Sequence, residues 1–211
     1  QTCNRFDLMI TDLGSTDGTW KIVEEWLPRH GILYRYHQQP GLSPWDALNK
    51  GIFINLLKNP KGWICPVNIS DRFSPGALKT YLGYMETFPD TDLFYPNFKL
   101  VDDVEHKNIV GLQNHPPFSR DALVEDNFCG CSPLMKGKSL VEMGQYNNKF
   151  GLVADHALYL KMAEQGLKFH RIEEVIGSHY EAEMSPLMME QYTKQSENLK
   201  ELRRSPTQDK S

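Results

Sequence analysis

The segment whose residue types best suit ligand chemistry is residues 11–19, with the sequence Thr-Asp-Leu-Gly-Ser-Thr-Asp-Gly-Thr. An apolar run over residues 6–10 precedes it and an amphipathic stretch over residues 20–27 follows it, which predicts a strand, a glycine-rich turn and the start of a helix. Because ligands of open α/β sheets bind beyond the carboxyl ends of the strands, Asp12 is expected at the rim of a site. Taken alone, these residues are equally well interpreted as a polar loop that caps the helix.

A second acidic residue, Asp71, follows the short apolar run over residues 62–67, which predicts a buried strand. Ser74 and Pro75 then predict a helix start, with Ser74 as the N-cap and Pro75 in the first turn. The structural alternative for Asp71 is a turn residue that caps nearby amides.

A third carboxylate, Asp155, is expected at the start of a helix. Apolar residues at helical spacing predict a buried stripe that leaves Asp155 off its face, formed by Ala154, Ala157, Leu158 and Met162. A helix N-terminus favours the ionised form of a carboxylate, and a general base must be ionised to accept a proton. An ordinary acidic residue of a first helical turn is the alternative interpretation.

The remaining patterns predict the elements that would position these carboxylates. Strands are predicted over residues 32–37, 91–100 and, as short pieces, 168–180, with an acidic hairpin tip at 101–106. Helices are predicted over residues 46–57, with Asp46 as N-cap, over 79–88 and over 186–204. Residues 1–204 are therefore expected to form one domain, followed by a disordered tail at 205–211.

Composition excludes several classes of protein. A formal net charge of -4 without a basic stripe gives no footprint for nucleic acid. The 4 cysteines form no Cys-x-x-Cys pair and are expected to be reduced. No apolar run approaches the ~20 residues of a membrane span, so we expect a cytoplasmic protein or one held peripherally at a membrane.

Three segments, in order, resemble motifs of family 2 glycosyltransferases. Residues 12–19 resemble the family's Asp-Asp-Gly-Ser-Thr-Asp-Gly-Thr, with Leu13 in place of the second acid, and residues 68–78 resemble Asn-x-Asp-Asp before Pro-Gly-Ala-Leu, with Ser70 in place of an acid. Residues 127–161 resemble a Ser-Pro loop, Gly-x-Phe/Tyr and Ala-Asp-Tyr-x-Leu-x-Leu-Arg. The resemblance implies the GT-A fold, a Rossmann-like three-layer α/β/α sandwich around a mostly parallel mixed sheet.

The resemblance also implies an activity and the residues for it. An inverting enzyme of this family moves a sugar from a UDP-, GDP- or dTDP-sugar to a hydroxyl of a saccharide or other acceptor. It implies that Asp12 contacts the nucleotide base, that Asp71 binds Mn²⁺ or Mg²⁺ at the donor diphosphate, and that Asp155 is the general base. His179 corresponds to a possible further metal ligand, with a surface or core histidine as the alternative. Further donor contacts are implied for Gly14, Ser15, Asn49, Lys50, Asn68 and Ser70. For Asn49 and Lys50 the favoured alternative is a solvated helix face.

The chain also departs from the family pattern. The family has a strand and helix before the position of residue 6, and a sheet without that strand is expected to expose an unpaired edge or an apolar groove. A degenerate GT-A-like domain that binds a saccharide or a partner, but transfers nothing, is therefore an alternative. A sugar nucleotidyltransferase is a third, although its Gly-rich triphosphate loop is not visible. The sequence lacks the Gln-x-x-Arg-Trp motif of processive polysaccharide synthases, so we do not expect chain extension in long runs.

Overall fold

Strands and helices alternate in a computed structural model that describes residues 1–3, 6–29, 34–38, 40–180 and 183–204. The elements in these ranges are, in chain order, β1 Leu8–Asp12, α1 Thr19–Arg29, β2 Tyr34–Gln38, α2 Pro44–Lys58, β3 Trp63–Ile64, β4 Asp71–Phe73, α3 Ala77–Thr87, β5 Leu93–Val101, β6 Ile109–Gln113, α4 Arg120–Glu125, β7 Leu134–Lys136, α5 Gly137–Glu142, a 3₁₀ helix Asn148–Val153, α6 Ala154–Glu164, β8 Phe169–Tyr180 and α7 Pro186–Arg204. The predicted tail at 205–211 lies outside the described residues.

The described strands form two sheets, a parallel pair and a larger sheet of mixed direction. Strands β1 and β2 pair in parallel as one sheet, and the other sheet has the order β3-β7-β5-β8-β4, with β6 also paired to β5. Strand β5 runs parallel to β8, whereas the other described pairs of this sheet are antiparallel. The predicted mixed α/β class is confirmed, but parallel pairs do not predominate among the described strands.

Alternating residues of β5 show that helices cover both faces of the larger sheet. Leu93 and Tyr95 belong to one buried cluster, together with residues of α2, α4, α5, α6 and α7. Phe94 and Phe98 belong to a second cluster, into which α3 packs. Since successive side chains of a strand point to opposite faces, the sheet lies between two helical layers, as predicted.

Two helix starts differ from the predicted ones. Ser43, not Asp46, is the N-cap of α2, and its hydroxyl accepts the N–H of Asp46 at 3.1 Å. Gly76, not Ser74, precedes α3 and makes no side-chain cap hydrogen bond. The Ser74 hydroxyl instead donates to the carbonyl of Ile176 at 2.9 Å, so a tertiary contact takes the group that local sequence assigns to capping.

The predicted short strands near residues 168–180 are one continuous strand of 12 residues, β8. Its register against β4 places Asp71 opposite His179 and Phe73 opposite Gly177. The C-terminal helix is confirmed over Pro186–Arg204, with Leu199 buried. Within the described parts of the chain, none of the helices has both the length and the apolar character that a membrane span requires.

An apolar groove lies between β1 and β3, as expected for a sheet interrupted at this point. Among the described strands, β1 pairs with β2 and β3 pairs with β7, so the facing edges of β1 and β3 are not joined. The groove has a volume of about 630 Å³ and is lined by residues that include Phe6, Leu8, Trp63, Ile64, Leu78 and Met85.

We predict that Gly177→Ala destabilises the pairing that holds Asp71. A Cβ at Gly177 would lie 2.3 Å from the carbonyl oxygen of Arg72 and 3.0 Å from the Phe98 ring. Overpacking of this kind costs about 1–3 kcal/mol in the free energy of unfolding. The control Gly83→Ala, a helical position with nothing within 4 Å of the new Cβ, should gain about 0.5–1 kcal/mol. Equal stability of the two variants by urea unfolding would contradict the described β4–β8 register.

Candidate functional site

Asp12, Gly14 and Ser15 lie together in one turn at the carboxyl end of β1. The Asp12 carboxylate accepts the N–H of Gly14 at 3.2 Å, the N–H of Ser15 at 3.0 Å and the Ser15 hydroxyl at 2.6 Å. Gly14 has a φ of +107°, which favours glycine, and a Cβ there would lie 3.3 Å from Pro40. The sequence therefore predicted this turn and the place of Asp12 at a strand end, and the structure adds that Asp12 is buried there.

Asp71 and His179 form a pair within the larger sheet. His179 Nδ1 lies 2.7 Å from Asp71 Oδ1, and the Ser132 hydroxyl donates to Asp71 Oδ2 at 3.3 Å. Hydrogen bonds with Asp71 and Cys131 raise the pKa of His179 to about 10, although burial opposes the charge. At neutral pH His179 is therefore an imidazolium that faces Asp71.

Ser132 holds its position against its own backbone preference. Its φ of 43° lies in the left-handed region, which residues other than glycine and asparagine rarely adopt. The Tyr81 hydroxyl donates to the Ser132 carbonyl at 2.5 Å, and the Cys65 thiol lies 3.4 Å from the same oxygen. Such a conformation persists because surrounding contacts fix it, here from buried Tyr81.

Asp155 is half-buried in the first turn of α6, as predicted. The Asn127 side-chain amide donates to Asp155 Oδ2 at 2.9 Å, and the backbone N–H of His156 donates to Oδ1 at 2.7 Å. Burial raises the pKa of the Asp155 carboxyl, and these two hydrogen bonds oppose the rise without cancelling it. Its proton affinity is therefore higher than that of an exposed aspartate, which suits a general base.

One loop, residues 127–132, reaches both carboxylates. Asn127 at its start contacts Asp155, and Ser132 at its end contacts Asp71. We refer to these residues as the 127–132 loop. One loop thus connects two of the three predicted carboxylates, while Asp12 lies on the separate two-stranded sheet.

Helix α2 holds the segment that leads into α6. The Trp45 indole donates to the Gly151 carbonyl at 2.6 Å and stacks on Tyr146 with ring centroids 5.1 Å apart. The Asn49 amide donates to the Tyr146 carbonyl at 2.7 Å and accepts its N–H at 3.1 Å. Asn49, predicted as a donor contact or part of a solvated helix face, is therefore a bridge between α2 and this segment, and Lys50 is exposed beside it.

Asn68 and Ser70 lie in the loop that leads into β4. The Asn68 carbonyl accepts the N–H of Asp71 at 3.0 Å, which closes a turn in front of the carboxylate. Asn68 is exposed, Ser70 is half-buried, and Ile69 between them is 98% exposed. The loop therefore leaves its side chains accessible to a ligand near Asp71.

Sequence reasoning missed Asn127, Ser132 and Trp45 as residues that position the site. Asn127 and Ser132 stand in the third matched segment, yet an asparagine or serine in a loop is a weak signal. Their partners are 28 and 61 residues away along the chain, beyond the reach of a local pattern.

The donor set for a divalent cation is small. Within the described ranges, no three His, Cys, Asp or Glu side chains cluster in a way that could hold a metal ion. Asp71 and His179 offer one carboxylate and one imidazole in contact with each other, and both groups are ligands of divalent ions. The Asp71 side chain is fully buried, however, and it faces a His179 that is protonated at neutral pH. The pair can therefore bind a cation only when His179 has given up its proton and the carboxylate has become accessible, with the remaining ligands coming from a diphosphate and water.

Comparisons with known proteins identify the fold. No protein-family model and no curated protein sequence matches the chain. The solved structure of S. aureus TarS 1–349 matches 94% of the chain with a TM-score of 0.67 at 15% identity. Its complex with UDP matches 94% of the chain with a TM-score of 0.65 at 14% identity. The mannosyltransferase PcManGT from Pyrobaculum calidifontis, in complex with GDP-Man and Mn²⁺, matches 85% of the chain with 0.58 at 15%.

These structural neighbours are glycosyltransferases, and the chain has their GT-A-like fold. The chain spans 56% of that TarS chain and 48% of the PcManGT chain. The fold class predicted from the three motifs is confirmed.

We predict that the His179–Asp71 pair makes stability depend on pH. Because the pKa of His179 rises from 6.5 to about 10 on folding, the folded state holds a proton that the unfolded state releases. The stabilisation is fully present below pH 6.5 and is lost as pH rises towards about 10. The difference in free energy of unfolding between the native protein and His179→Gln, measured in urea, should shrink over this range. A difference that stays constant would contradict the pair.

Proposed function

We propose that this chain transfers a glycosyl group from a nucleotide sugar to an acceptor hydroxyl. The observation that carries the proposal is the 127–132 loop, which contacts Asp155 at one end and Asp71 at the other. Asp155 is proposed to accept a proton, and Asp71 is proposed to hold the cation at the donor diphosphate. The glycosyltransferase fold supports it, as do the UDP and GDP-Man complexes of the neighbours. From the resemblance of the three motifs we further propose a family 2 enzyme with a role in polysaccharide, glycan or cell-surface biosynthesis.

In the proposed reaction, Asp155 takes the proton of the acceptor hydroxyl. The acceptor oxygen then forms a bond to the anomeric carbon while the bond from that carbon to the diphosphate oxygen breaks, and the nucleoside diphosphate leaves. A single in-line displacement inverts the anomeric centre and needs no enzyme nucleophile. The raised pKa of Asp155 strengthens it as a base at any pH where it is ionised.

The donor would lie between the turn of Asp12 and the loop before β4. Asp12 is proposed to contact the nucleotide base, and Gly14, Ser15 and Lys50 to lie along the nucleotide. Asn68 and Ser70 are proposed to face the donor beside Asp71, where Asn68 is accessible.

Asp71, with His179 as a second ligand, is proposed to hold Mn²⁺ or Mg²⁺. Such an ion would act as a Lewis acid that stabilises the departing diphosphate. The described part of the chain supplies two protein ligands here, so the affinity for metal without nucleotide should be weak.

We expect Asp155→Asn to lower the rate of glycosyl transfer by about 10²–10⁴-fold, because a positioned general base contributes that much. The amide keeps the shape of the side chain but accepts no proton. Asp121→Asn, at a side chain that is 93% exposed on α4, is the matched control and should leave the rate unchanged. Near-normal transfer by Asp155→Asn would remove this residue from the mechanism.

We expect one of UDP, GDP or dTDP to bind in a calorimetric titration only when Mn²⁺ is present. Asp71→Asn should abolish that binding, because it removes the charged ligand for the cation, whereas Asp90→Asn, at an exposed position, should not. Binding of a saccharide without any nucleotide would instead support the alternative function, a degenerate binding domain. That alternative is motivated by Leu13 and Ser70, which stand where the family has acids.

A further inference from the structure

We propose that Asn127 is a positioning residue for Asp155: its side-chain amide fixes the orientation of the carboxylate and favours its ionised form. The inference rests on the proposed function only in taking Asp155 as the general base. Neither the motifs nor the structural neighbours assign a role to this asparagine.

The geometry fixes the carboxylate from two elements. Asn127, in the loop after α4, donates to Oδ2 at 2.9 Å, and His156, in α6, donates its backbone N–H to Oδ1 at 2.7 Å. With one donor on each oxygen, the carboxylate plane cannot rotate without breaking a hydrogen bond. A base held in this way presents its free lone pairs in one direction.

The contact of the Asn127 amide with Asp155 leaves the other polar atom of that side chain, Oδ1, unpaired. Its Oδ1 is buried and has no hydrogen-bond partner in the described structure. A buried acceptor without a partner costs about 1–3 kcal/mol. The opposite orientation of the amide would place Oδ1 against the carboxylate, so the charge of Asp155 decides the orientation. A purely structural asparagine would be expected to satisfy both ends of its amide.

The backbone of Asn127 is held by its neighbours. Phe128, the next residue, is 2% exposed and packs on Tyr95, with ring centroids 5.4 Å apart. Cys129 is fully buried, and the far end of the 127–132 loop is fixed by Tyr81 through Ser132. The amide therefore reaches Asp155 from a rigid support, as a positioning residue must.

The surroundings make Asp155 the group to follow in an acidic titration. Burial raises the pKa of the Cys129 thiol and of three tyrosines, and the charge of Asp155 raises these pKa values further, so the groups stay uncharged at low pH; the tyrosines are Tyr146, Tyr159 and Tyr192. Burial lowers the pKa of His156, whose ring Nε2 lies 2.5 Å from the Leu123 carbonyl oxygen. The remaining acid nearby is Asp126, which acts on Cys129, His156 and Tyr192.

The test follows the carboxyl carbon of Asp155 by NMR as a function of pH in the full chain. Asn127→Ala and the nearly isosteric Asn127→Leu should both move the midpoint to higher pH, because each removes a hydrogen bond that favours the charged form. Asn127→Leu also removes the unpaired Oδ1, so it should fold if Asn127→Ala does not. The His156 ring signals are recorded together with those of Asp155 to separate the two titrations.

The matched control is Asn108→Ala, which removes a hydrogen bond of the same kind, from the Asn108 amide to Asp102 at 2.8 Å, in an exposed hairpin. It should leave the Asp155 midpoint unchanged. An Asp155 midpoint in Asn127→Leu that equals that of the native chain would overturn the proposal, whether or not the chain proves to be an enzyme.

Kinetics separate this inference from the proposed function. If the native chain transfers sugar, Asn127→Leu should move the acidic limb of the pH–rate profile to higher pH and lower kcat by up to about 10²-fold, the usual cost of a misplaced catalytic group. Transfer with an unchanged acidic limb would overturn the positioning role and leave the proposed function intact. A native chain that shows no transfer would count against the proposed function, while the NMR titration would still decide the role of Asn127.

Discussion

The pairing of strand β8 with its two neighbours is the constraint on which the rest of the structure depends. β8 runs parallel to β5 on one side and antiparallel to β4 on the other. The first pairing closes the core between the helical layers, and the second places His179 opposite Asp71. Gly177 permits both, since any side chain there would meet the backbone of Arg72. Core packing and the geometry of Asp71 are therefore set by the same backbone contacts.

Burial and hydrogen bonding have opposite effects on the pKa of His179 and on the pKa of Asp155, and the stronger effect differs between the two groups. At His179, hydrogen bonds to Asp71 and Cys131 outweigh the cost of burying the charge, so the pKa rises. At Asp155, burial outweighs two donated hydrogen bonds, so the pKa rises as well, and for a carboxyl this favours the neutral form. The result is an ion pair on the proposed donor side and a carboxylate of enhanced basicity on the proposed acceptor side.

The 127–132 loop departs twice from the usual rules of backbone conformation and hydrogen bonding. Ser132 adopts a left-handed backbone conformation, and Asn127 buries a carbonyl oxygen without a partner. Such departures also occur elsewhere, since His106 and Gln145 share the left-handed conformation and Gln113 and His115 each bury an unpaired polar atom. The two in this loop are set apart by their neighbours, because each lies next to a carboxylate of the candidate site.

The sequence by itself determined the elements whose signals are local. The strand–turn–helix around Asp12, the start of α6 at Asp155 and the C-terminal helix Pro186–Arg204 follow from apolar spacing, glycines and helix-start residues within about twenty positions. Only the tertiary structure decided the cap of α3, the mainly antiparallel pairing of the larger sheet and the roles of Asn49, Asn127 and Ser132. The side-chain hydrogen bonds among these have partners between 28 and 102 residues away, such as Ile176 for Ser74 and Asp155 for Asn127. The local sequence around a hydroxyl or amide does not indicate which distant group it will contact, because the pairing of the strands and the packing of the helices decide which groups are neighbours.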